Sequence, residues 1–206
     1  MQKISAILDR ATGAGTVPGV AIAVGTPDGT VFEAASGVRD LTTGTPMTAD
    51  TIVWIASMTK AVTGACAMQL VEQGRLSLDE PIARVLPELG RVQVLDGFAA
   101  DGTAKLRAPI RPVTLRHLLT HTSGFVYDIW SADMGRYMRA NGIPGIVSCQ
   151  NKALDQPLAF DPGSQWYYGI GIDWAGKAVE AVSGLRLGEY MRRNLLEPLG
   201  MKDTAF

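Results

Sequence analysis

The chain has 206 residues, 47% of them hydrophobic and 19% charged, with 19 basic side chains against 20 acidic ones. A chain of this size buries roughly 70% of the surface its unfolded form exposes, so it can hold a real core. Its near-neutral charge gives no general attraction to nucleic acid or to an anionic membrane, and no apolar run approaches the ~20 residues a membrane span needs.

Ile4, Ile7, Leu8 and Ala11 recur at helical spacing, which predicts an opening helix broken by Gly13 and Gly15. Asp9 and Arg10 interrupt that stretch, so it does not read as a signal peptide. A cytoplasmic setting is expected, or a periplasmic one if a leader was trimmed. Val20–Gly25 is an apolar run ending at Pro27-Asp28-Gly29, and Thr30–Gly37 resumes it; the pair predicts an antiparallel hairpin. A long helix is expected from Ser57 to Gln73, stopped by Gly74. Residues 89–111 show no clear period and read as a loop insertion, and Phe125–Cys149 reads as a second loop. A helix opens at Thr114, Ile172–Ser183 forms another before Gly184, and Leu187–Leu196 a third before Pro198.

Strands come first and helices afterwards, an α+β order. Residues 1–56 carry the helix and strands, and 57–206 a mostly helical region. Two or three strands make a poor sheet for so many helices. Cys66 and Cys149 form no CxxC pair and read as reduced, buried small hydrophobes, with a disulfide between them the less favoured alternative.

The sharpest chemical feature is Ser57-Met58-Thr59-Lys60. A serine hydroxyl needs a neighbouring base before it attacks a carbonyl. In a helix, residues three apart lie one turn up on neighbouring positions, so Lys60 can reach the Ser57 oxygen. The helix start favours negative charge, and the Ser57 N–H could serve an oxyanion. Ser57 could equally be a simple N-cap. Apolar and small residues on both sides, Thr51 to Ala56 and Ala61 to Ala65, would desolvate Lys60 and lower its pKa toward a usable base.

Trp54-Ile55-Ala56-Ser57-Met58-Thr59-Lys60, followed by Gly74-Arg75-Leu76-Ser77-Leu78-Asp79-Glu80-Pro81-Ile82, resembles the serine β-lactamase and penicillin-binding-protein-like superfamily. Leu118–Gly124, Pro162–Gly169 and Glu197–Met201 match three further landmarks in the same order. The likeness is nearest to family VIII carboxylesterases and class C β-lactamases. It implies the amino-terminal portion of a β-lactamase/transpeptidase-like fold. It also implies that Ser57 is acylated, with Lys60 and a tyrosine completing the proton relay. Tyr168 is the matching tyrosine and Tyr167 the close alternative; Trp166, Tyr167 and Ile170 are expected to line the substrate.

Members of the superfamily that act on β-lactams or peptides usually carry Tyr-x-Asn, where this chain has Tyr168-Gly169-Ile170. An isoleucine cannot hydrogen-bond a substrate amide, so the expectation is a carboxylesterase for small or lipophilic acyl esters. The alternatives are a β-lactamase, a D-alanyl-D-alanine peptidase, an acyltransferase, or a catalytically silent binding module. No cofactor or metal is implied. His117 and His121 are four apart but lack a third ligand, and Asp173 reads as a helix cap. Neither a Gly-x-Ser-x-Gly elbow nor a P-loop occurs. Members of the superfamily run to nearly twice this length. The chain is therefore expected to be an amino-terminal half, weak or inactive alone, its partner sheet strands lost or carried on a separate chain.

Overall fold

A computed structural model describes residues 2–206. The chain divides into two compact units, the first running through Trp54 and the second from Ile55 to Phe206.

In the first unit, α1 (Gln2–Gly13) packs on an antiparallel pair, β1 (Gly19–Thr26) and β2 (Gly29–Gly37). Register runs from Gly19 opposite Gly37 to Thr26 opposite Gly29, with one slip between Val24 and Gly25. The expected hairpin therefore forms, and its turn is Pro27-Asp28. Ser36 ties it to the helix: its Oγ donates to Asp9 Oδ1 at 2.7 Å and lies 2.9 Å from Thr12 Oγ1. Among residues 2–54 no side chain is fully buried.

The second unit holds the core. Helix α2 (Thr59–Glu72) buries Thr63, Cys66, Ala67 and Leu70, one stripe at helical spacing. It packs against α5 (Gly171–Ser183), which buries Ala175, Ala178 and Val179. Small side chains on both helices let the two backbones come close. The short helix α3 (Leu115–Leu119) also packs on α5. Its Thr114 cap accepts from the His117 N–H, while His117 Nδ1 accepts from the Thr114 N–H at 3.3 Å. Gly184, at φ +76°, ends α5 as expected. A smaller cluster of Val126, Met134, Met138 and Phe160 lies under α4 (Ala132–Ala140).

Several expectations are corrected here. Residues 89–111 are not a loop: β3 (Val94–Phe98) pairs antiparallel with β4 (Ala104–Arg107). Asp96-Gly97 breaks the alternation that would have marked β3, and the strand is held from outside. The Leu95 N–H donates to the Leu158 carbonyl at 2.8 Å, and Arg107 makes a bidentate pair with Asp161 at 2.9 and 2.7 Å. Phe125–Cys149 contains α4, capped by Ser131 and seated on Met134 and Met138. The helix expected over Leu187–Leu196 does form, as α6 (Leu187–Met191) continued by a π-helical turn over Arg192–Leu196. Cys149 is exposed while Cys66 is buried, and both thiols are free. Among the described residues no helix is long and apolar enough to cross a membrane.

Candidate active site

Three segments of the second unit meet at Ser57. The first begins with Ala56, which adopts φ +44°, a backbone that alanine rarely takes. It turns the chain into a single 3₁₀ turn, Ala56–Met58, and α2 starts only at Thr59. Ser57 thus sits in the turn leading into α2, exposed, with Lys60 in the first turn of the helix and partly buried. The Lys60 Nζ donates to Ser57 Oγ at 3.2 Å.

The second segment is Ser123–Asp128, which brings Tyr127, and the third is Trp166–Ile170, which brings Tyr168. Gly169 lets them touch, because a Cβ there would run into the backbone of Phe125 and Val126. The Tyr127 and Tyr168 rings lie 5.7 Å apart, at 53°. Lys60 Nζ is 5.0 Å from the centre of the Tyr168 ring and 5.8 Å from that of Tyr127. His121 underlies the same group, its ring 4.5 Å from that of Tyr168. Its carbonyl accepts the Tyr167 N–H at 2.9 Å, and its Nδ1 faces the Gly169 N–H at 3.5 Å. Among the described residues, three besides glycines have positive φ, and two of these, Ala56 and His121, stand at this site. Strain of this kind gathers where a chain must aim its side chains.

The electrostatics differ from the expectation for Lys60. Burial pushes its ammonium down, but the hydroxyls of Tyr168 and Tyr127 outweigh that, and its pKa stands above the ordinary lysine value. The apolar neighbours that were to desolvate it are largely turned outward, with Trp54 92% and Ile52 75% exposed. For Tyr168, burial acts upward, but the Ser57 hydroxyl and the Lys60 charge prevail and lower it. Tyr127 moves the other way, because burial exceeds the pull of Lys60. Of the two phenols beside Lys60, Tyr168 is thus the more acidic. His121 is lowered by burial and by the Lys60 charge, which keeps its imidazole neutral. Asp173 is raised by burial against the opposing pull of Lys60.

The structure brings Ser57, Lys60 and Tyr168 together and sets Trp166 at the edge of the group, 66% exposed, its ring edge-on to His121 at 6.3 Å. Tyr167 is committed elsewhere: its hydroxyl donates to the Trp130 carbonyl at 2.6 Å, and its ring packs on the cluster under α4. Ile170 is fully buried in the main core. Two residues past Tyr168, the chain has already turned inward to start α5, so this side chain belongs to the core and not to the exposed group around Ser57. Asp173 makes no side-chain cap of α5, whose cap position is Ile170. His117 is occupied in capping α3, and among the described residues no three His, Cys, Asp or Glu gather as metal ligands. Tyr127 was missed in the sequence, where only its place three residues after the Ser123-Gly124 turn could have marked it.

Residues 4–206 match the family described as Beta-lactamase. The chain belongs to the beta-lactamase family. It is 38% identical over 183 residues to the lovastatin esterase of Penicillium rubens, covering 85% of this chain and 45% of that protein. It is 41% identical over 163 residues to the monacolin J acid methylbutanoyltransferase of Aspergillus terreus, covering 78% and 39%. Unliganded simvastatin synthase from Aspergillus terreus superposes with a TM-score of 0.86 at 35% identity, over 97% of this chain and 52% of that one. The chain spans about half the length of the relatives it matches or somewhat less. Its beta-lactamase family relatives include both esterases and acyltransferases.

Proposed function

We propose that this chain carries the acyl-transfer machinery of a serine carboxylesterase, with Ser57 as nucleophile, Tyr168 as its base and Lys60 as a fixed positive charge. The observation that carries this reading is the Lys60 Nζ at 3.2 Å from Ser57 Oγ, with the more acidic of two phenols beside both. Ser57 Oγ forms a bond to the ester carbonyl carbon, and the carbonyl electron pair moves onto its oxygen. The Ser57 proton passes to the Tyr168 phenolate, which Lys60 stabilises. Collapse of the adduct breaks the bond to the alcohol, whose oxygen takes the proton back from Tyr168. Water then attacks the acyl-Ser57 ester by the same route and releases the acid. In this reading the Ser57 N–H serves as one oxyanion donor. Trp130 and Trp166, 56% and 66% exposed, offer apolar surface that suits a lipophilic acyl group.

Hydrolysis of p-nitrophenyl acetate and butyrate by the chain and by Ser57→Ala tests the reading, with the mass of the acylated protein as a second readout. Turnover above the uncatalysed rate that Ser57→Ala leaves unchanged, and no adduct on Ser57, would refute it. The pH profile follows from the two shifts. Because Tyr168 must be deprotonated and Lys60 protonated, the rate rises with pH toward the lowered tyrosine value and falls only above the ordinary lysine one. A profile that falls across neutral pH would overturn the assignment of Tyr168 as base.

A second reading, an acyltransferase, is favoured by the relatives named for methylbutanoyl transfer. In that case an added alcohol or amine takes the acyl group in place of water, and the ester or amide product rises with acceptor concentration.

A further inference from the structure

Tyr167 and Tyr168 are neighbours in sequence, yet their side chains go to different places. Tyr168 faces Lys60, while the Tyr167 ring packs on the cluster of Val126, Met134, Met138 and Phe160. Tyr167 is also tied at both ends. Its N–H donates to the His121 carbonyl at 2.9 Å, and its hydroxyl donates to the Trp130 carbonyl at 2.6 Å. Trp130 closes a 3₁₀ turn, Asp128–Trp130, whose own bonds are long. The Trp130 N–H reaches the Tyr127 carbonyl at 3.3 Å, and the Ser131 N–H reaches that of Asp128 at 3.3 Å. Both exceed the usual range for an amide donor, whereas the bond from the Tyr167 hydroxyl is a short one. That hydroxyl is thus the firmest hold on the Trp130 peptide. The Trp130 ring stands edge-on to Tyr127 at 5.5 Å and 5.9 Å from Tyr168. Together the three rings make one apolar wall beside Lys60, whose Nζ holds Ser57 Oγ. Trp130 is 56% exposed, so the wall is open to a substrate. Trp166 has a looser place: among the described aromatic contacts it meets His121 alone, edge-on at 6.3 Å.

Resting on the esterase reading above, we propose that the Trp130 ring is the wall that selects the acyl group, and that Tyr167 is the positioning residue that holds it there. An acyl chain that extends from the Ser57 ester beyond acetyl lies along Trp130, so the site favours butyryl and longer chains. A methylene removed from water is worth about fourfold in a rate constant. Because the wall covers one side of the chain, the added methylenes of butyryl should give a preference of about five- to tenfold in kcat/KM. Water could replace the Tyr167 hydroxyl at the Trp130 carbonyl, but it has no ring seated in the cluster and so fixes no position.

The test compares p-nitrophenyl acetate and butyrate, by acylation of Ser57 read as intact mass and by kcat/KM in whatever form of the protein turns the ester over. Tyr167→Phe removes the hydroxyl and leaves the ring in its cluster. It should lower the butyrate-to-acetate ratio about threefold or more. Trp130→Ala should remove the preference, and the double variant should match Trp130→Ala alone, because the hydroxyl acts through that ring. A hydroxyl that only stabilised the fold would lower both esters alike and leave the ratio where it was. A second readout needs no turnover. With 5-fluorotryptophan incorporated, the ¹⁹F signal of Trp130, assigned with Trp130→Ala, should shift in Tyr167→Phe while that of buried Trp174 stays in place. An unmoved Trp130 signal would overturn the proposal, and so would an unchanged ratio where Ser57 is acylated, with the esterase reading left standing. Failure of the parent and of every variant to acylate Ser57 would refute the esterase reading itself, and this proposal with it.

Discussion

The stretch through Trp54 and the stretch from Ile55 onward put their apolar residues to different use. The first contains an amphipathic helix and two strands rich in valine, isoleucine and alanine, yet none of its described side chains is fully buried. Val24 is 38% exposed and Val31 48%. The second buries Leu70, Leu115, Leu118, Phe125 and Met134 almost completely, and the candidate catalytic groups stand on that foundation. A repeating local pattern can thus specify an element without giving it a core, and a core can be assembled from segments whose pattern is faint. Chemistry that needs atoms held to a fraction of an ångström is found with the core.

The largest effect expected to separate the two regions is on turnover. In whatever form of the protein turns the ester over, Ser57→Ala should lower hydrolysis at least about a thousandfold, because no other group can take over the attack. Tyr168→Phe should cost about a hundredfold or more, since it removes the proton acceptor. Steady-state rates with p-nitrophenyl butyrate measure both. If Ser36→Ala, in the first region, lowered the rate as far as Ser57→Ala, the separation of chemistry from the hairpin would be broken.

The next effect is on stability. Leu118→Ala empties a fully buried site between α3 and its neighbours and should cost about 2–5 kcal/mol. Val24→Ala trims a side chain that is already partly in water and should cost less than about 1 kcal/mol. Urea denaturation of the two variants gives the ratio directly. Equal losses would mean that the hairpin is as tightly packed as the core, against its exposure.

The same contrast decides what could be read from the sequence. The hairpin, the opening helix and the helices ending at Gly74 and Gly184 were legible, because turn residues and glycine stops act over a few positions. The Ser57–Lys60 pair was legible for the same reason: three residues in a helical turn fix the distance. What escaped was built by distant partners. β3 and β4 depend on Leu158 and Asp161, more than fifty residues away from β4, and Tyr127 reaches Lys60 only because Gly169 admits the Tyr168 loop against Phe125. Ile170 was misplaced because spacing from Tyr168 does not say which way a chain turns as it enters a helix. The direction of the Lys60 shift also required the structure, since the two hydroxyls that hold its charge come from other segments.

A smaller effect concerns acid. Asp161 accepts from Arg107 and from the Ile110 N–H, and these contacts hold its carboxyl down at about 2, against an ordinary 3.8. A carboxylate with a depressed folded value stabilises the fold fully above the unfolded value and loses that contribution as pH falls through the folded one. The share due to Asp161 is therefore intact near neutrality and disappears between about pH 4 and 2. Asp161→Asn should be less stable than the parent at pH 7, and the gap should close over that window in pH-dependent denaturation. A gap that persists unchanged at pH 2 would show that the Arg107–Asp161 pair contributes by shape and not by charge.

The smallest effect belongs to the hairpin. The Ser36 hydroxyl joins β2 to Asp9 and Thr12 of α1 in a partly solvated place. A hydrogen bond of that kind contributes about 0.5–1.5 kcal/mol net, and solvent can replace much of it. Ser36→Ala should therefore speed exchange of the β1 and β2 amides about two- to fivefold, while those of α2 and α5 keep their rates. Native-state hydrogen exchange resolves the two sets. Because the hairpin has no buried side chains, its amides should open through local fluctuations that do not require the core to unfold. If α2 and α5 accelerated by the same factor, opening would be shared by the whole chain, and the difference in burial would carry no difference in cooperativity.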